Sequence, residues 1–257
     1  FLTSLRLALA WDTRDSQYLP SEGELAILNQ FKDKLPPRLF TEEYQPPVTD
    51  GSGRIRSQMR TAFKLLKEAG WELKNKVMVN KQTGEPLSFE LLIYSPTTER
   101  IAIPVQKNMS LMGIDMKIRT VDTTQYIKRL RDRDFDMVSS PFSENAYPSP
   151  NLMIVWNSNY LDSTYNTAGV TDPVVDYLTS EIAKNQQDSA KLLDLGRALD
   201  RVLQWGFYII PQWHSGTYRV AMWDKFERPD VMPKYDLGQD TWWISQEKAM
   251  KLPEKRR

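Results

Sequence analysis

Residues 139–166, with the sequence SSPFSENAYPSPNLMIVWNSNYLDSTYN, bring together aromatic rings, serine and asparagine side chains and prolines. Their pattern fits neither a helix nor a long strand. The aromatic, amide, hydroxyl and carboxylate side chains that are candidate ligand contacts are Phe142, Ser143, Glu144, Asn145, Tyr147, Trp156 and Asn157. Apolar rings beside a few placed polar groups are typical of a ligand cleft, and a carboxylate pairs well with a ligand ammonium. The alternative is a loop whose rings fill the core of its own domain.

Catalysis by a nucleophile and a base finds little support in the sequence. His214 is the only histidine; it follows Trp213 in the stretch QWHSG, and no G-x-S-x-G motif occurs. A Ser-His-Asp site would need this histidine as its base. We interpret His214 as a packed or hydrogen-bonded residue or, together with Trp213, as part of a ligand-binding surface.

Metal and cofactor sites are not indicated either. The chain has no cysteine, so a metal site would depend on carboxylates, which suit a hard cation such as Ca²⁺. The acidic residues of 131–136 alternate with arginine, which favours solvated ion pairs. The DGSG turn at 50–53 lacks the spacing of a phosphate-binding loop. We therefore expect no metal and no cofactor.

Composition limits the remaining classes of protein. The 257 residues include 34 basic and 33 acidic side chains, so overall charge does not favour a nucleic-acid or membrane-surface partner. No run of about 18 apolar residues suggests a membrane-spanning helix. The first residues, FLTSLRLALAWD, lack the charged region and cleavage site of a signal peptide. We expect a mature chain or a piece of a longer protein.

Alternating strand and helix patterns predict a parallel sheet in the middle of the chain. The expected elements are strands at 87–94, 114–121 and 135–138, separated by helices at 97–113 and 122–134. Connections of this length favour right-handed β-α-β units, in which ligands bind at the carboxyl ends of the strands. The third strand ends just before residue 139, so the candidate cleft segment begins at that edge.

Other local signals predict more helices. Ser21 and Glu24 fit a capping box, as do Asp122 and Gln125. Gly70 fits a helix C-terminus, and Asp172-Pro173 fits a helix start. The remaining expected elements are helices at 4–11, 21–35, 55–70, 172–185 and 189–205, a linker at 39–54, a turn at 79–87 and two strands around a proline at 207–223.

Several longer stretches resemble the solute-binding proteins of peptide ABC importers, bacterial extracellular solute-binding family 5, and within that family the YejA-type branch. They are AFKLLKEAGW (62–71), TGEPLSFELLIYS (83–95), LMGIDMKIRTVDTTQYIKRLRDRDFDMV (111–138), DSTYNTAGV (162–170), LGRALDRVLQWGFYIIPQWH (195–214), WDKF (223–226) and DLGQDTWW (236–243). The pattern within 111–138 belongs to the wider family, whereas the motifs YNTAGV, LGRALDRVL and DLGQDTWW belong to a narrower group within it.

The resemblance implies a periplasmic-binding-protein-like α/β fold of two lobes that close on an oligopeptide and deliver it to a membrane permease. Residues 1–54 would be a remnant of the N-terminal lobe and a connector, 55–205 the C-terminal peptide-binding lobe, and 206–257 a crossover segment toward the other lobe, which would be largely missing. Such proteins bind and release their ligand without catalysis, so the resemblance implies a protein that is not an enzyme. It also implies a monomer located in the periplasm.

Two departures from the family pattern leave alternatives open. Family members are considerably longer, so the chain is expected to be a C-terminal portion whose capacity to bind is undecided. Many relatives hold the peptide's amino terminus with an Asp after a Trp, whereas this chain has Phe142 to Asn145 there, with Glu144 as the expected substitute. The alternative functions are a truncated non-transporting fragment or interaction module and, less favoured, a carboxylate-dependent hydrolase.

Overall fold

The computed structural model describes residues 18–142, 147–210, 220–233 and 237–254. The chain forms two compact units, Phe1–Gln212 and Trp213–Arg257. The helices described in the first unit are α1 (Glu22–Leu28), α2 (Arg38–Thr41), α3 (Arg56–Glu68), α4 (Pro96–Leu111), α5 (Thr123–Asp132), α6 (Leu152–Trp156), α7 (Pro173–Lys184) and α8 (Ser189–Gly206). Its strands are β1 (Trp71–Lys74), β2 (Val77–Asn80), β3 (Ser88–Ile93), β4 (Asp115–Thr120) and β5 (Met137–Val138).

The predicted parallel sheet is confirmed. Strand β3 lies in the centre, parallel to β4 on one side and to β5 on the other. The two connections run through α4 and α5, as the alternating sequence pattern indicated. Three successive residues of β3, Leu91, Leu92 and Ile93, are buried, which is typical of a strand covered on both faces.

Helices α4 and α5 supply the side chains that cover this sheet. Leu91 and Ile93 cluster with Ala102 of α4. Leu92 points to the opposite face and clusters with Tyr126 and Leu130 of α5. This alternation follows from the two-residue period of a strand. The carboxyl ends of β3 and β5 consequently open at one edge, from which residue 139 continues.

An antiparallel hairpin of β1 and β2 was missed by sequence reasoning. Asn75 and Lys76 form its two-residue turn with φ values of 50° and 66°, the left-handed conformation that such turns require. Gly113 allows the hairpin to approach the sheet, because a Cβ there would lie 2.7 Å from the carbonyl oxygen of Lys76. The Asn-Lys turn lacks the glycine that usually marks this hairpin in a sequence.

A second, larger core lies among α1, α2, α6, α7 and α8. Leu28, Leu35 and Leu39 pack there with residues such as Leu178 and Leu199. The described part of residues 1–54 therefore shares a core with helices that the prediction assigned to the 55–205 lobe. The lobe boundaries at residues 54 and 205 stay predictions.

Local capping signals were predicted correctly. Ser21 Oγ accepts the Glu24 N–H at 3.2 Å, and Glu24 Oε2 accepts the Ser21 N–H at 2.9 Å, which completes the capping box of α1. Asp122 and Asp172 cap α5 and α7 through their side chains. These bonds satisfy N–H groups that a helix leaves unpaired in its first turn.

Two expectations for irregular and extended regions are corrected. The segment 139–166 contains helix α6 and a 3₁₀ turn, Ser158–Tyr160, because Leu152 and Trp156, four residues apart, both bury against the helical core. Residues 207–210 and 220–223 are not in strands, and 211–219 lie outside the described residues, as does the helix expected at 4–11.

The second unit has a small amount of regular structure in its described part. Its elements are β6 (Phe226–Glu227), β7 (Trp243–Ile244), α9 (Gln246–Met250) and a 3₁₀ turn, Gln239–Thr241. Strands β6 and β7 pair antiparallel, with Glu227 opposite Trp243. Trp243 Nε1 donates a hydrogen bond to Glu227 Oε2 at 3.2 Å, which reinforces this pairing.

Candidate functional site

The carboxyl edge of the parallel sheet carries an exposed aromatic surface. Tyr94 directly follows β3 and is 41% exposed. Its ring centroid lies 4.6 Å from that of Tyr126 on α5, which is almost fully buried. Tyr94 was not among the predicted ligand contacts. Its position in the sequence could have suggested it as a candidate. It is the first residue beyond a buried strand, and open α/β sheets generally bind ligands at that edge.

Tyr126 ties the segment after β5 to this edge. Its hydroxyl donates a hydrogen bond to the carbonyl oxygen of Ser139 at 2.7 Å, and the Ser139 N–H donates to the carbonyl oxygen of Leu92 at 3.2 Å. The segment therefore leaves the sheet in a defined direction. Burial, and next the neighbouring Tyr94, raise the pKa of Tyr126 to about 12.

We predict that replacing Tyr126 by phenylalanine changes the stability of the protein at high pH. The unfolded chain loses this phenolic proton near pH 10, whereas the folded chain keeps it to about pH 12. The stability that Tyr126 contributes is therefore fully present below pH 10 and is lost as pH rises toward 12. Urea unfolding between these values should show a shallower decline for Tyr126→Phe than for the unchanged chain.

The control for this experiment is Tyr165→Phe, because Tyr165 is 70% exposed, whereas the ring that contacts Tyr126 is that of Tyr94. The pKa of Tyr208 is also raised, first by burial and then by the hydrogen bond to Asp172. Tyr208 therefore adds a decline of the same sign to every variant. Identical slopes for Tyr126→Phe and the unchanged chain would contradict the prediction.

Phe142 and Tyr147, two predicted ligand contacts, flank the part of the loop that lies outside the described residues. Both are half-buried and pack against the helical core. The ring of Phe142 stacks on that of Trp156, with centroids 5.4 Å apart and planes 10° from parallel. Each ring thus has one side supported by the protein and part of its surface open to solvent.

Trp156 and Asn157 occupy the interior, which corrects the expectation that they contact a ligand directly. Both are 0% exposed. Trp156 is the last residue of α6 and fills the helical core. The alternative interpretation, in which aromatic residues of this segment fill their own core, therefore holds for Trp156. Its place beneath Phe142 gives it a supporting role.

Asn157 organises the connection between α6 and α7. Its Nδ2 donates to Thr179 Oγ1 at 2.9 Å and to the Asp176 carbonyl at 3.2 Å. Its Oδ1 accepts from the Asn159 N–H at 3.0 Å, and its carbonyl accepts from Asn166 Nδ2 at 3.1 Å. A buried amide with all these partners is a structural group, and it holds the end of the loop in position.

Arg133 holds the other side of the same connection. Its guanidinium donates to the carbonyl oxygens of Leu161 and Thr167, and burial lowers the pKa of Arg133. Arg133 also ends α5 in the left-handed conformation, with φ of 55°. The loop from 139 to 171 is therefore anchored at Tyr126, at Trp156 and at Arg133.

Five predicted contacts cannot be placed. Ser143, Glu144 and Asn145, and also Trp213 and His214, lie outside the described residues. Their roles stay predictions. Among the residues that the structure describes, no group of three or more His, Cys, Asp or Glu side chains could hold a metal ion. The helices in these same ranges include none that is long and apolar enough to cross a membrane.

The structure is an α/β protein with a three-stranded parallel sheet, an aromatic carboxyl edge and an anchored loop, and open α/β sheets generally bind ligands at this edge. The family described as bacterial extracellular solute-binding proteins, family 5 Middle, matches residues 32–163. This match spans the hairpin, the sheet and most of the anchored loop. The chain belongs to this family.

Two curated relatives are similar over most of this chain. The YejA protein of Escherichia coli strain K12 is 47% identical over 234 residues, 91% of this chain and 39% of that protein. A probable peptide-binding protein YejA of Agrobacterium fabrum is 40% identical over 233 residues, 89% of this chain and 38% of that protein. The chain therefore spans about two fifths of the length of these relatives.

A solved structure shares the fold. The oligopeptide-binding protein AppA from Bacillus subtilis, determined in complex with a nonapeptide, aligns with a TM-score of 0.52 and 20% identity. The alignment covers 94% of this chain and 47% of AppA. This likeness agrees with the mixed helix and sheet architecture that the sequence predicted.

Proposed function

We propose that this chain contributes to binding an oligopeptide, or a peptide-like solute, for import by an ABC transporter. The observation that carries the proposal is the supported aromatic edge, in which Tyr94 and Phe142 each rest on a buried ring. Flat apolar surface suits peptide side chains of varied shape, and nearby backbone groups suit the peptide chain. Membership in a solute-binding family and the peptide-binding name of one relative support it.

The proposed contacts are Tyr94, Phe142 and Tyr147, with Ser143, Glu144 and Asn145 between the last two. Glu144 is proposed to pair with the peptide's amino terminus, since a charge-assisted bond contributes roughly 1.5–3 kcal/mol. Trp213 and His214 are kept as predicted contacts. Trp156 and Asn157 are proposed to contribute indirectly: Trp156 supports the ring of Phe142, and Asn157 holds the end of the loop in position.

We further propose that the protein works by binding alone, as a monomer in the periplasm, and passes its ligand to permease subunits in the membrane. The relatives with a stated activity are binding proteins, and the family is named for extracellular solute binding. The fold offers a surface with supported rings, which fits retention and release of a ligand.

Peptide-dependent stabilisation tests the proposal. A mixture of peptides of two to nine residues should raise the melting temperature, because a ligand at 100 times its Kd adds about 2.7 kcal/mol to stability, or roughly 5–10 °C for a chain of this size. Tyr94→Ala should reduce the shift strongly, whereas Tyr165→Ala, which removes another exposed ring, should retain it. Mass spectrometry should recover the peptides intact.

Absence of any shift, both in this chain and in a full-length relative measured in parallel, would contradict peptide binding. Cleavage of the peptides, abolished by substitution of one carboxylate, would instead support the hydrolase alternative. An equal loss of the shift in Tyr94→Ala and Tyr165→Ala would contradict the assignment of the aromatic edge.

A further inference from the structure

The segment from residue 54 to residue 81, which contains α3 and the β1–β2 hairpin, is strongly basic. It holds eight Lys and Arg residues and two Glu, a net charge of +6 in a chain whose total is +1. All eight basic residues are exposed: Arg54, Arg56, Arg60, Lys64, Lys67, Lys74, Lys76 and Lys81. The near-zero net charge of the whole chain therefore conceals a local excess of exposed positive charge in this segment.

Four of these residues follow one side of α3. Arg56, Arg60, Lys64 and Lys67 are separated by three or four positions, so they share a side of a helix with 3.6 residues per turn. Lys81 continues the row, because its Nζ lies 3.4 Å from the carbonyl oxygen of Lys67. We name these five residues the basic stripe.

Most of this charge lacks an acidic partner in the part of the chain that the structure describes. Lys64 pairs with Glu68 at 3.8 Å and Lys74 with Glu72 at 2.6 Å, and no other ion pair within 4.0 Å involves the eight residues. The pKa of Glu72 is lowered by its hydrogen bond to Lys74 and also by Lys81. These two glutamates leave the surface with a large positive excess.

Basic residues on another helix are arranged differently. On α5, Lys128 Nζ lies 2.8 Å from Asp132 and Arg129 Nη1 lies 2.6 Å from Asp134. The contrast matters because like charges placed at four-residue spacing on a helix repel each other. The uncompensated charge on α3 is therefore a property of that surface and not of every exposed helix in the chain.

Exposed aliphatic side chains accompany the charge at the hairpin turn. Leu73 and Val77, which flank Lys74, Asn75 and Lys76, are both exposed, and all three residues between them are exposed as well. Cations together with small apolar side chains suit an anionic lipid surface, where the cations approach the phosphates and the aliphatic groups enter the interface.

We propose that the basic stripe and the β1–β2 turn dock on an anionic phospholipid membrane. Each Lys or Arg near an anionic surface adds to the attraction, and the attraction falls with ionic strength. A protein partner would need carboxylates placed in a row that matches the basic stripe. A bilayer surface carries phosphates throughout, so it can pair with the stripe without such a matched arrangement. The proposal does not depend on peptide binding.

Cosedimentation of the 257-residue chain with vesicles tests this proposal. The chain should bind vesicles that contain phosphatidylglycerol, should not bind vesicles of phosphatidylcholine alone, and should dissociate in high salt. The triple variant Arg56→Glu, Arg60→Glu, Lys67→Glu should lower the partition coefficient at least about 10-fold.

The matched control is Lys32→Glu, Lys34→Glu, Arg131→Glu, which changes the net charge equally at exposed positions elsewhere. It should alter binding less than about two-fold. Circular dichroism melts establish that both variants fold. No binding to phosphatidylglycerol vesicles, or equal loss in both variants, would overturn the proposal. Binding to polyglutamate without binding to vesicles would also overturn it and favour an acidic protein partner.

Discussion

Replacing Trp156 by alanine is expected to destabilise the first unit by about 3–5 kcal/mol. The indole is completely buried in the helical core and supports the ring of Phe142. Alanine would remove that apolar surface from the core and leave a cavity that the surrounding helices can only partly fill. Urea unfolding followed by far-UV circular dichroism measures the loss.

Two further variants test whether the loss of buried volume is responsible for this effect. In the described structure the Trp156 Nε1 atom has no hydrogen-bond partner, so Trp156→Phe removes volume without removing a hydrogen bond and should cost clearly less than Trp156→Ala. Tyr165→Ala removes a mostly exposed ring and should change stability by no more than about 0.5 kcal/mol. Equal losses for Trp156→Ala and Tyr165→Ala would show that Trp156 is not a core residue.

The consequence for function is a loss of order at the site. Without the ring of Trp156, Phe142 loses its stacked neighbour, and the loop that follows it loses one of its three anchors. Trp156→Ala should therefore weaken peptide-dependent stabilisation even at a temperature where the variant is still folded. This expectation separates a supporting residue from a direct contact, because Trp156→Phe preserves an aromatic support and should retain most of the effect.

The second large effect is expected from Arg201→Met, which should cost about 3–5 kcal/mol. Arg201 Nε lies 2.9 Å from Glu24 Oε1, and the two side chains are 0% and 2% exposed. Arg201 Nη1 also donates to the carbonyl oxygen of Tyr18 at 2.6 Å. Removing the guanidinium would leave a carboxylate buried without its cation, which is far less favourable than leaving it in water.

A double-mutant cycle identifies the cause of this loss. Glu24→Gln with Arg201→Met removes both charges and should be less destabilised than the sum of the two single variants, because neither charge is then left unpaired. Lys128→Met breaks an exposed ion pair and should leave the urea midpoint nearly unchanged. Strict additivity of the Glu24 and Arg201 variants would contradict direct coupling.

The pair also explains how residues near the start of the chain join the rest of the first unit. Glu24 belongs to the capping box of α1, and Arg201 lies 177 positions later on α8. The cap orients the carboxylate and the carboxylate holds α8. The Glu24 side chain thus takes part both in a local helix cap and in a long-range ion pair. Only the cap could be inferred from residue spacing.

The sequence alone determined the parallel sheet, its two crossover helices and the capped starts of α1, α5 and α7. The signals that predicted these features are local patterns: alternation along a strand, helical spacing, and a side chain that bonds to an N–H two or three residues ahead. The position of the sheet edge followed from the same patterns, because the third predicted strand ends at residue 138 and the chain leaves the sheet at residue 139.

Tertiary structure decided which side chains are buried and which are open to solvent. A tryptophan and an asparagine suit a cleft wall and an interior equally well by residue type. Trp156 is buried because it belongs to the core cluster that residues of α1, α7 and α8 also form. Asn157 is hydrogen-bonded to Thr179, 22 positions away. Tyr94 is exposed because the strand before it ends at an open edge. Such outcomes depend on contacts between distant segments, and residue type and spacing do not specify them.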